Sequence, residues 1–324
     1  MNIYLLISII LALLSFIYLK LAVKFKIIDK PNQRSSHTKI TVRGGGIIFS
    51  IAILLFFLMN NYQYPYFVLG VLIISIVSFL DDIYTLSSSI RFPFQLIAIF
   101  LILFQVALPF SPIYVFLSYL IIGVGLINMF NFMDGINGIT GIFSLSSLFG
   151  FYLININEQI VNDDLILYTV ISLIIFGFYN FRKKALFFAG DIGSIAIGML
   201  MFFVGMLFTL KLSSPLILLL VIVYGADAGC TLLYRKFFTN ESVLDPHRHH
   251  IYQKLVDVYK LPHLTVSIIY GVLQIIINYI VIKTYNLSLV NQFFVFFGLI
   301  ILFILFYIYL FKKINNKVLL KNAS

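Results

Sequence analysis

Polar residues and glycines interrupt the apolar sequence between residues 128 and 141, which read NMFNFMDGINGITG. Asn128, Asn131 and Asp134 are spaced three apart, so on a helix they occupy neighbouring positions of one face. Carboxylates and amides are costly to place in hydrocarbon, and they favour a helix end that opens to water and holds a polar ligand. The glycines that follow allow a ligand to approach the backbone closely. The alternative is a polar helix end followed by a turn.

Two adjacent carboxylates, Asp81 and Asp82, close another apolar run. Adjacent helical residues point about 100° apart, so the pair cannot serve one ligand identically. One carboxylate is then available to a metal ion or a nucleophile while the other meets a basic residue. Acidic residues at a helix C-terminus oppose the helix dipole, and this favours a functional role over a solvated helix end.

A third carboxylate, Asp191, lies in the sequence AGDIGS at the start of a later apolar run. One interpretation makes Asp191 the N-cap of that helix. The other makes the segment an anion site at a helix N-terminus, with a carboxylate that holds a divalent cation. Mg²⁺ is usually bound by one or two carboxylates plus substrate phosphates, and Asp191 with Asn131 or Asp134 fits that pattern. Phe188 is either core filler or a ring that stacks on a base.

Two basic clusters accompany these carboxylates. Residues 247–250, HRHH, contain three of the five histidines. Arginine and histidine are good donors to a diphosphate; the alternatives are a basic surface loop or a zinc site, for which no cysteine or carboxylate completes a familiar ligand set. The second cluster has His37, Lys39 and Arg43 before three glycines, and its alternative is charge that only orients the chain in a membrane.

The elements that must position these groups are apolar helices. The chain of 324 residues is 61% hydrophobic and 10% charged, with a mean hydropathy of +1.06, whereas a soluble domain carries about 25% charged residues. The composition predicts an all-α polytopic membrane protein, so the net charge of +10 is not a nucleic-acid signal. Runs of roughly membrane-spanning length are predicted at about residues 3–23, 44–60, 65–80, 92–109, 112–130, 138–154, 164–181, 192–210, 214–233, 263–285 and 290–311.

The basic residues orient these eleven predicted spans. With the first loop inside, 20 of the 22 lysines and arginines lie on the inner side, which predicts an outer N-terminus and a cytoplasmic C-terminus. The first run has no positive segment before it and no small-residue cleavage site, so it is predicted to be an uncleaved span. On this topology the polar clusters share the cytoplasmic face, which predicts one site at helix ends in a single domain over residues 1–324.

Carboxylates for Mg²⁺, basic groups for phosphates and glycines for close approach suit phosphoryl transfer from a nucleotide-linked donor to a lipid acceptor. The alternative function is a transporter or flippase of a lipid-linked or anionic solute. Transporters place polar sites near the bilayer midplane, whereas these clusters lie at helix ends. A structural membrane anchor would leave the carboxylates unexplained.

Five motifs carry a family resemblance: DKPNQRSSHTKITVRGGG, FLDD, NMFNFMDGINGITG, FFAGDIGSIAIG and DPHRHHIYQKL. In this order they resemble the polyprenyl-phosphate N-acetylaminosugar-1-phosphate transferase family (glycosyltransferase family 4) over nearly the whole chain. HRHHIYQK is most similar to the O-antigen-initiating branch that uses N-acetylated 6-deoxyhexosamines.

The resemblance implies a multi-span helical enzyme of the bacterial cytoplasmic membrane. It implies transfer of an N-acetylaminosugar 1-phosphate from a UDP-sugar to undecaprenyl phosphate, with release of UMP, as the first step of cell-surface polysaccharide synthesis. The implied cofactor is Mg²⁺, with Mn²⁺ as the alternative. No nucleic-acid partner is expected, and an exposed face of a span is a candidate surface for a homodimer.

The resemblance also implies residue roles, carried over position by position. Asn137 would contact uracil; many bacterial members have Asp there, so no acid or base role is expected of this side chain. Thr85 stands where a third Asp often follows the Asp-Asp pair, so that position is not a required ligand. The remaining implied roles are metal binding by Asn131 and Asp191, catalysis by Asp81, Asp82 and Asp134, stacking on uracil by Phe188, and binding of the phosphates or sugar by Lys39, Arg43, His247, Arg248, His249 and His250.

Overall fold

Long apolar helices make up most of the protein. The structure is a computed structural model that describes residues 2–29, 40–239 and 247–323. A 3₁₀ segment, Pro215–Val221, runs directly into α9. The helices in these ranges are α1 (Ile3–Lys24), α2 (Ile47–Met59), α3 (Pro65–Tyr84), α4 (Ser88–Gln105), α5 (Ile113–Met133), α6 (Ile139–Glu158), α7 (Asp163–Asn180), α8 (Gly190–Leu212), α9 (Ile222–Phe238), α10 (Ile251–Asp257), α11 (His263–Thr284) and α12 (Leu289–Ala323).

The all-α polytopic fold predicted from the sequence is confirmed. Ten of the described helices are long and apolar enough to cross a membrane, with the 3₁₀ segment counted as part of α9. Each of the eleven predicted runs is helical, but α2 has only 13 residues, fewer than the roughly 20 that a full crossing needs. The apolar pattern did not predict the short helix α10, or the antiparallel pair of β1 (Ile28–Asp29) with β2 (Thr41–Val42).

Helix α8 lies at the centre of the bundle and is buried along most of its length. It packs against α3 and α5 on long faces and against α2 near its start. There Gly193 of α8 meets Gly46 at the start of α2: a Cβ added to Gly193 would lie 2.6 Å from the Gly46 Cα. Small residues let membrane helices approach this closely, so the start of α2 is fixed against the start of α8.

Contacts between termini place six helix ends at one end of the bundle. The backbone N–H of Gly46 before α2 donates to the Ala189 carbonyl before α8 (2.9 Å). The Gly138 N–H before α6 donates to Asn180 Oδ1 at the end of α7 (2.7 Å). Asn180 Nδ2 in turn donates to the Phe187 carbonyl ahead of α8 (3.0 Å). The ends of α3 and α5 join the same region through the side chains described next.

Candidate active site

The first turn of α8 is capped by a carboxylate from another helix. Asp82 at the end of α3 accepts from the backbone N–H of Asp191 (2.9 Å) and of Ile192 (3.2 Å). The N-cap position belongs to Ala189, and no side chain of its own caps the helix. The interpretation of Asp191 as the N-cap is therefore wrong: the first amides of a helix need an acceptor, and Asp82 supplies it.

Gly190 permits this arrangement. Its backbone is in the left-handed region, with φ +74°, and a Cβ at this position would collide with Asp82 Oδ2. A residue with a side chain would both strain the turn and push the Asp82 carboxylate away. The helix N-terminus, predicted as an anion site, thus already holds an internal anion.

Two arginines hold the three carboxylates together. Arg43 Nε lies 2.7 Å from Asp82 and its Nη2 lies 2.9 Å from Asp191. Arg91 Nη1 lies 2.7 Å from Asp81 and 3.1 Å from Asp191. Asp81 and Asp82 therefore turn to different cations, as their helical spacing predicts, and Asp191 is bridged by both. We call these five residues the ionic cluster; three negative and two positive charges leave it with one negative charge in excess.

The charges of the cluster keep Arg43 protonated. Burial lowers the pKa of the Arg43 guanidinium, but the carboxylates of Asp191 and Asp82 outweigh burial and the net shift of the pKa is upward. The family resemblance implies that Arg43 binds phosphates. The structure places it between α3 and α8.

Arg91 is a site residue that the sequence analysis missed, because it was counted only as a charge that orients the chain. It lies in the first turn of α4, where a cation opposes the helix dipole. That unfavourable position close after Asp81-Asp82 was the signal available in the sequence. Its Nε is buried and has no hydrogen-bond partner among the described residues, so one donor of the guanidinium remains for a ligand.

The polar residues at the end of α5 turn to three different neighbours. Asn128 Nδ2 donates to Gln95 Oε1 of α4 (2.9 Å) and serves helix packing. Asn131 Nδ2 donates to Ser194 Oγ of α8 (3.3 Å), and its side chain interacts with the Asp191 carboxylate. Of the two amides, Asn131 is the one that reaches the ionic cluster.

Asp134 follows directly after α5 and accepts a hydrogen bond from the Thr140 hydroxyl (2.5 Å). Burial raises the pKa of Asp134 to about 7; the Thr140 hydrogen bond opposes this rise and the nearby charge of Asp191 adds to it. Asp134 therefore belongs to the same electrostatic environment as the ionic cluster. Its predicted role next to the reacting phosphates stays a prediction.

Asn137 and Phe188, predicted to contact uracil, lie beside this region. Asn137 is buried, and its Nδ2 donates to the Arg182 carbonyl (2.8 Å). The Phe188 backbone joins two loops: its N–H donates to the Val42 carbonyl and its carbonyl accepts from the Gly45 N–H, both at 2.8 Å. The Phe188 ring is half-buried three residues before Asp191.

The HRHH segment, residues 247–250, immediately precedes α10. Arg248 makes a two-pronged ion pair with Asp257 at the end of α10, with both N–O distances at 2.9 Å. The ring of His247 stacks on that of His249 (centroids 5.7 Å apart) and lies 4.9 Å from that of His250.

α10 ties the HRHH segment to the end of α5, because the Tyr252 hydroxyl donates to the Phe132 carbonyl (3.0 Å). The segment thus lies at the same end of the bundle as Asp134. Lys39 and His37 lie outside the described residues.

Comparisons with known proteins identify a family that the chain resembles. Residues 64–209, which run from the loop before α3 into α8, match the model of glycosyl transferase family 4. The chain is also similar to the probable undecaprenyl-phosphate N-acetylglucosaminyl 1-phosphate transferase of Bacillus subtilis (strain 168). The two are 26% identical over 274 residues, which cover 78% of this chain and 75% of that protein. The residues matched by the family model include Asp81, Asp82, Arg91, Asn131, Asp134 and Asp191.

Proposed function

We propose that the protein is a member of glycosyl transferase family 4, whose model its residues 64–209 match, and that it transfers an N-acetylaminosugar 1-phosphate from a UDP-sugar to undecaprenyl phosphate and releases UMP. Sugar-1-phosphate transfer to a polyprenyl phosphate is supported by the family match and by the activity for which the Bacillus relative is named. The observation that carries the proposal is the ionic cluster, which gathers anion-binding and cation-binding groups at one end of the bundle.

In the proposed reaction an oxygen of the lipid phosphate attacks the β-phosphorus of the UDP-sugar and forms a new P–O bond. The bond from the β-phosphorus to the bridging oxygen breaks, and UMP leaves with that oxygen. A phosphate monoester has a second pKa near 6, so at pH 7 the attacking oxygen is already charged. We therefore assign Asp81 and Asp82 to positioning, not to proton removal.

Phosphoryl transfer leaves the protein mainly two tasks, positioning and charge stabilisation. A guanidinium presents five N–H donors in a planar fork that matches phosphate oxygens. Arg43 and Arg91 each use some of these donors to pair with carboxylates. The buried Arg91 Nε has no hydrogen-bond partner among the described residues. We propose that this donor meets a phosphate oxygen of the substrate.

The donor set fits a divalent cation. Carboxylate and amide oxygens are hard ligands that suit Mg²⁺, and Mg²⁺ usually takes only one or two of them, with substrate phosphates completing its shell. In the described part of the chain, no three His, Cys, Asp or Glu side chains form a ready metal cage. Asp191 and Asn131 would hold Mg²⁺, or Mn²⁺ in its place, and the metal would supply positive charge that neutralises the diphosphate.

We place the site at the cytoplasmic face of the bacterial inner membrane. The distribution of lysines and arginines supports this orientation, since the topology predicted from the sequence assigns 20 of the 22 to the side of the predicted polar clusters. A UDP-sugar is a water-soluble donor, whereas the acceptor lies in the membrane, so helix ends at the inner leaflet bring the two together. The product would start the synthesis of a cell-surface polysaccharide.

The test is an assay of UMP release by the purified full-length protein in detergent, with a panel of UDP-N-acetyl sugars and undecaprenyl phosphate. We expect UMP to be released only when one of the UDP-sugars, undecaprenyl phosphate and Mg²⁺ are all present. The variant Asp164→Ala is the matched control. Asp164 on α7 accepts a hydrogen bond from Tyr4 on α1, at the end of the bundle opposite the site. If none of the UDP-sugars is consumed, the proposal is contradicted. A transporter or flippase would give that result, because it leaves the UDP-sugar unchanged in detergent.

A further inference from the structure

Asp227 is a buried carboxylate in α9 to which neither the sequence analysis nor the proposed reaction gives a role. It is 4% exposed and lies inside a helix long enough to span the membrane. An ionisable group at such a position is expensive unless it is paired, and it usually serves function. Five groups hydrogen-bond to it: the backbone N–H of Ile251 (3.0 Å) and of Tyr252 (3.2 Å), the hydroxyls of Tyr270 (2.6 Å) and Thr231 (3.2 Å), and His250 Nδ1 (3.3 Å).

Two of these bonds cap α10. Ile251 and Tyr252 are its first residues, and their N–H groups have no partner within the helix. A helix of seven residues is too short to persist without outside contacts, so the carboxylate of α9 determines where α10 begins. The HRHH segment ends at that point, and its position is therefore set by Asp227.

A third bond orients a ring of the HRHH segment. His250 is 2% exposed, and its Nδ1 faces Asp227 Oδ1. Its other ring nitrogen, Nε2, is buried and has no hydrogen-bond partner among the described residues. A carboxylate on one nitrogen of a histidine fixes the direction in which the other nitrogen points.

Helix α10 is also attached to the end of α5, on the side away from Asp227. Tyr252 donates to the Phe132 carbonyl (3.0 Å), and its ring covers Gly135 so closely that a Cβ there would collide with the hydroxyl. α10 is thus held between Asp227 on one side and the Asn131–Asp134 end of α5 on the other.

We propose that Asp227 is a positioning residue for the transfer reaction: it caps α10 and orients His250, and so places the HRHH segment against the diphosphate of the UDP-sugar. This inference rests on the proposed function, because it needs the HRHH segment to bind the donor. Asp227 itself touches no substrate. Loss of Asp227 should therefore weaken binding of the UDP-sugar more than it lowers the turnover of the UDP-sugar once bound.

The kinetic test compares Asp227→Asn with Tyr270→Phe. The amide has the size of the carboxylate but replaces one acceptor oxygen with a donor, so it cannot serve both α10 amides. Tyr270→Phe removes a neighbour of the same carboxylate and leaves the cap intact. We expect the KM for the UDP-sugar to rise about tenfold or more in Asp227→Asn, the effect of losing one hydrogen bond to a charged group, with a smaller change in kcat. In Tyr270→Phe the KM should stay within about twofold of wild type.

Hydrogen–deuterium exchange of the full-length protein without substrate gives a readout that does not need activity. We expect faster exchange across residues 247–257 in Asp227→Asn than in wild type or Tyr270→Phe. If Asp227→Asn does not fold, Tyr252→Phe cuts the other attachment of α10 and should produce the same rise in KM. An unchanged KM in an active Asp227→Asn enzyme overturns the inference and leaves the proposed function standing. A wild-type protein that consumes no UDP-sugar overturns the function and with it the positioning role, even where exchange shows that Asp227 anchors α10.

Discussion

Replacing Asp82 by alanine should destabilise the protein, whereas the same replacement of Asp191 should not, although both variants should lose most of their turnover. The two carboxylates share Arg43, but only Asp82 also accepts the first amides of α8. A comparison of the two variants therefore separates the contribution of the ionic cluster to folding from its contribution to the reaction.

The expected loss of folding stability in each variant follows from the contacts that the variant loses. Asp82→Ala removes the acceptor of two buried backbone N–H groups, and hydrogen bonds to charged groups are worth about 1.5–3 kcal/mol each, so the loss is about 3 kcal/mol or more. Asp191→Ala leaves both arginines with a carboxylate at 2.7 Å, Arg43 with Asp82 and Arg91 with Asp81. Its cost should stay below about 1 kcal/mol, as for the loss of partly exposed ion pairs.

Turnover should fall in both variants for the same reason. Both carboxylates hold Arg43 in place, and Asp191 is also the proposed metal ligand, so either replacement disturbs a cation that meets the phosphates. Losing one group that stabilises charge in the transition state typically costs a factor of about 10²–10³, or up to about 4 kcal/mol. Asp191→Ala should therefore release UMP at least about 10²-fold more slowly than wild type while the protein remains folded.

Thermal unfolding of the purified variants in detergent, followed by size-exclusion chromatography, measures the first effect and UMP release measures the second. We expect Tm to fall by about 5 °C or more for Asp82→Ala and to stay near wild type for Asp191→Ala. Equal Tm values for the two variants would refute the capping of α8 by Asp82. Wild-type turnover in Asp191→Ala would refute its place in the site.

Three further changes test other contacts. Gly193→Ala should lower Tm, at a cost of about 1–3 kcal/mol, because its Cβ meets the Gly46 backbone in a packed core; Gly125→Ala, where an added Cβ meets nothing within 4 Å, is the control, and equal Tm values would contradict the close approach of α2 and α8. Arg91→Lys should lower kcat/KM for UMP release about 10²-fold, because an ammonium lacks the planar fork, and an unchanged kcat/KM would remove this residue from the site. Asn155→Ala should cost about 2–4 kcal/mol, because its buried oxygen accepts two backbone N–H bonds at the opposite end; folded protein should keep the wild-type kcat, and a lower kcat would contradict a purely structural role.

The sequence predicts much of this architecture because a membrane imposes strong local rules. Runs of apolar residues had to be helices, and the polar residues at their ends had to face water or each other. The structure brings Asp81, Asp82 and Asp191 together through Arg43 and Arg91, and their roles in a reaction stay predictions. The different directions of Asp81 and Asp82 also follow from helical geometry alone.

What the sequence did not predict depends on contacts between distant residues. Local preference made Asp191 the expected cap of its own helix, but Asp82, 109 residues earlier, takes that role. Asp227 was passed over because an isolated carboxylate within an apolar run has no local pattern that names its partners. Those partners, on α10 and α11, become visible only once α9 is placed beside them.

A label on the β-phosphate of the UDP-sugar tests the proposed chemistry most directly. With purified protein, undecaprenyl phosphate and Mg²⁺, we expect the labelled phosphate to move into the lipid product together with the sugar while unlabelled UMP is released. Label recovered in free UDP would mean that the sugar alone is transferred, and label that remains in the donor would mean that no transfer occurs. Either result would contradict sugar-1-phosphate transfer at the ionic cluster.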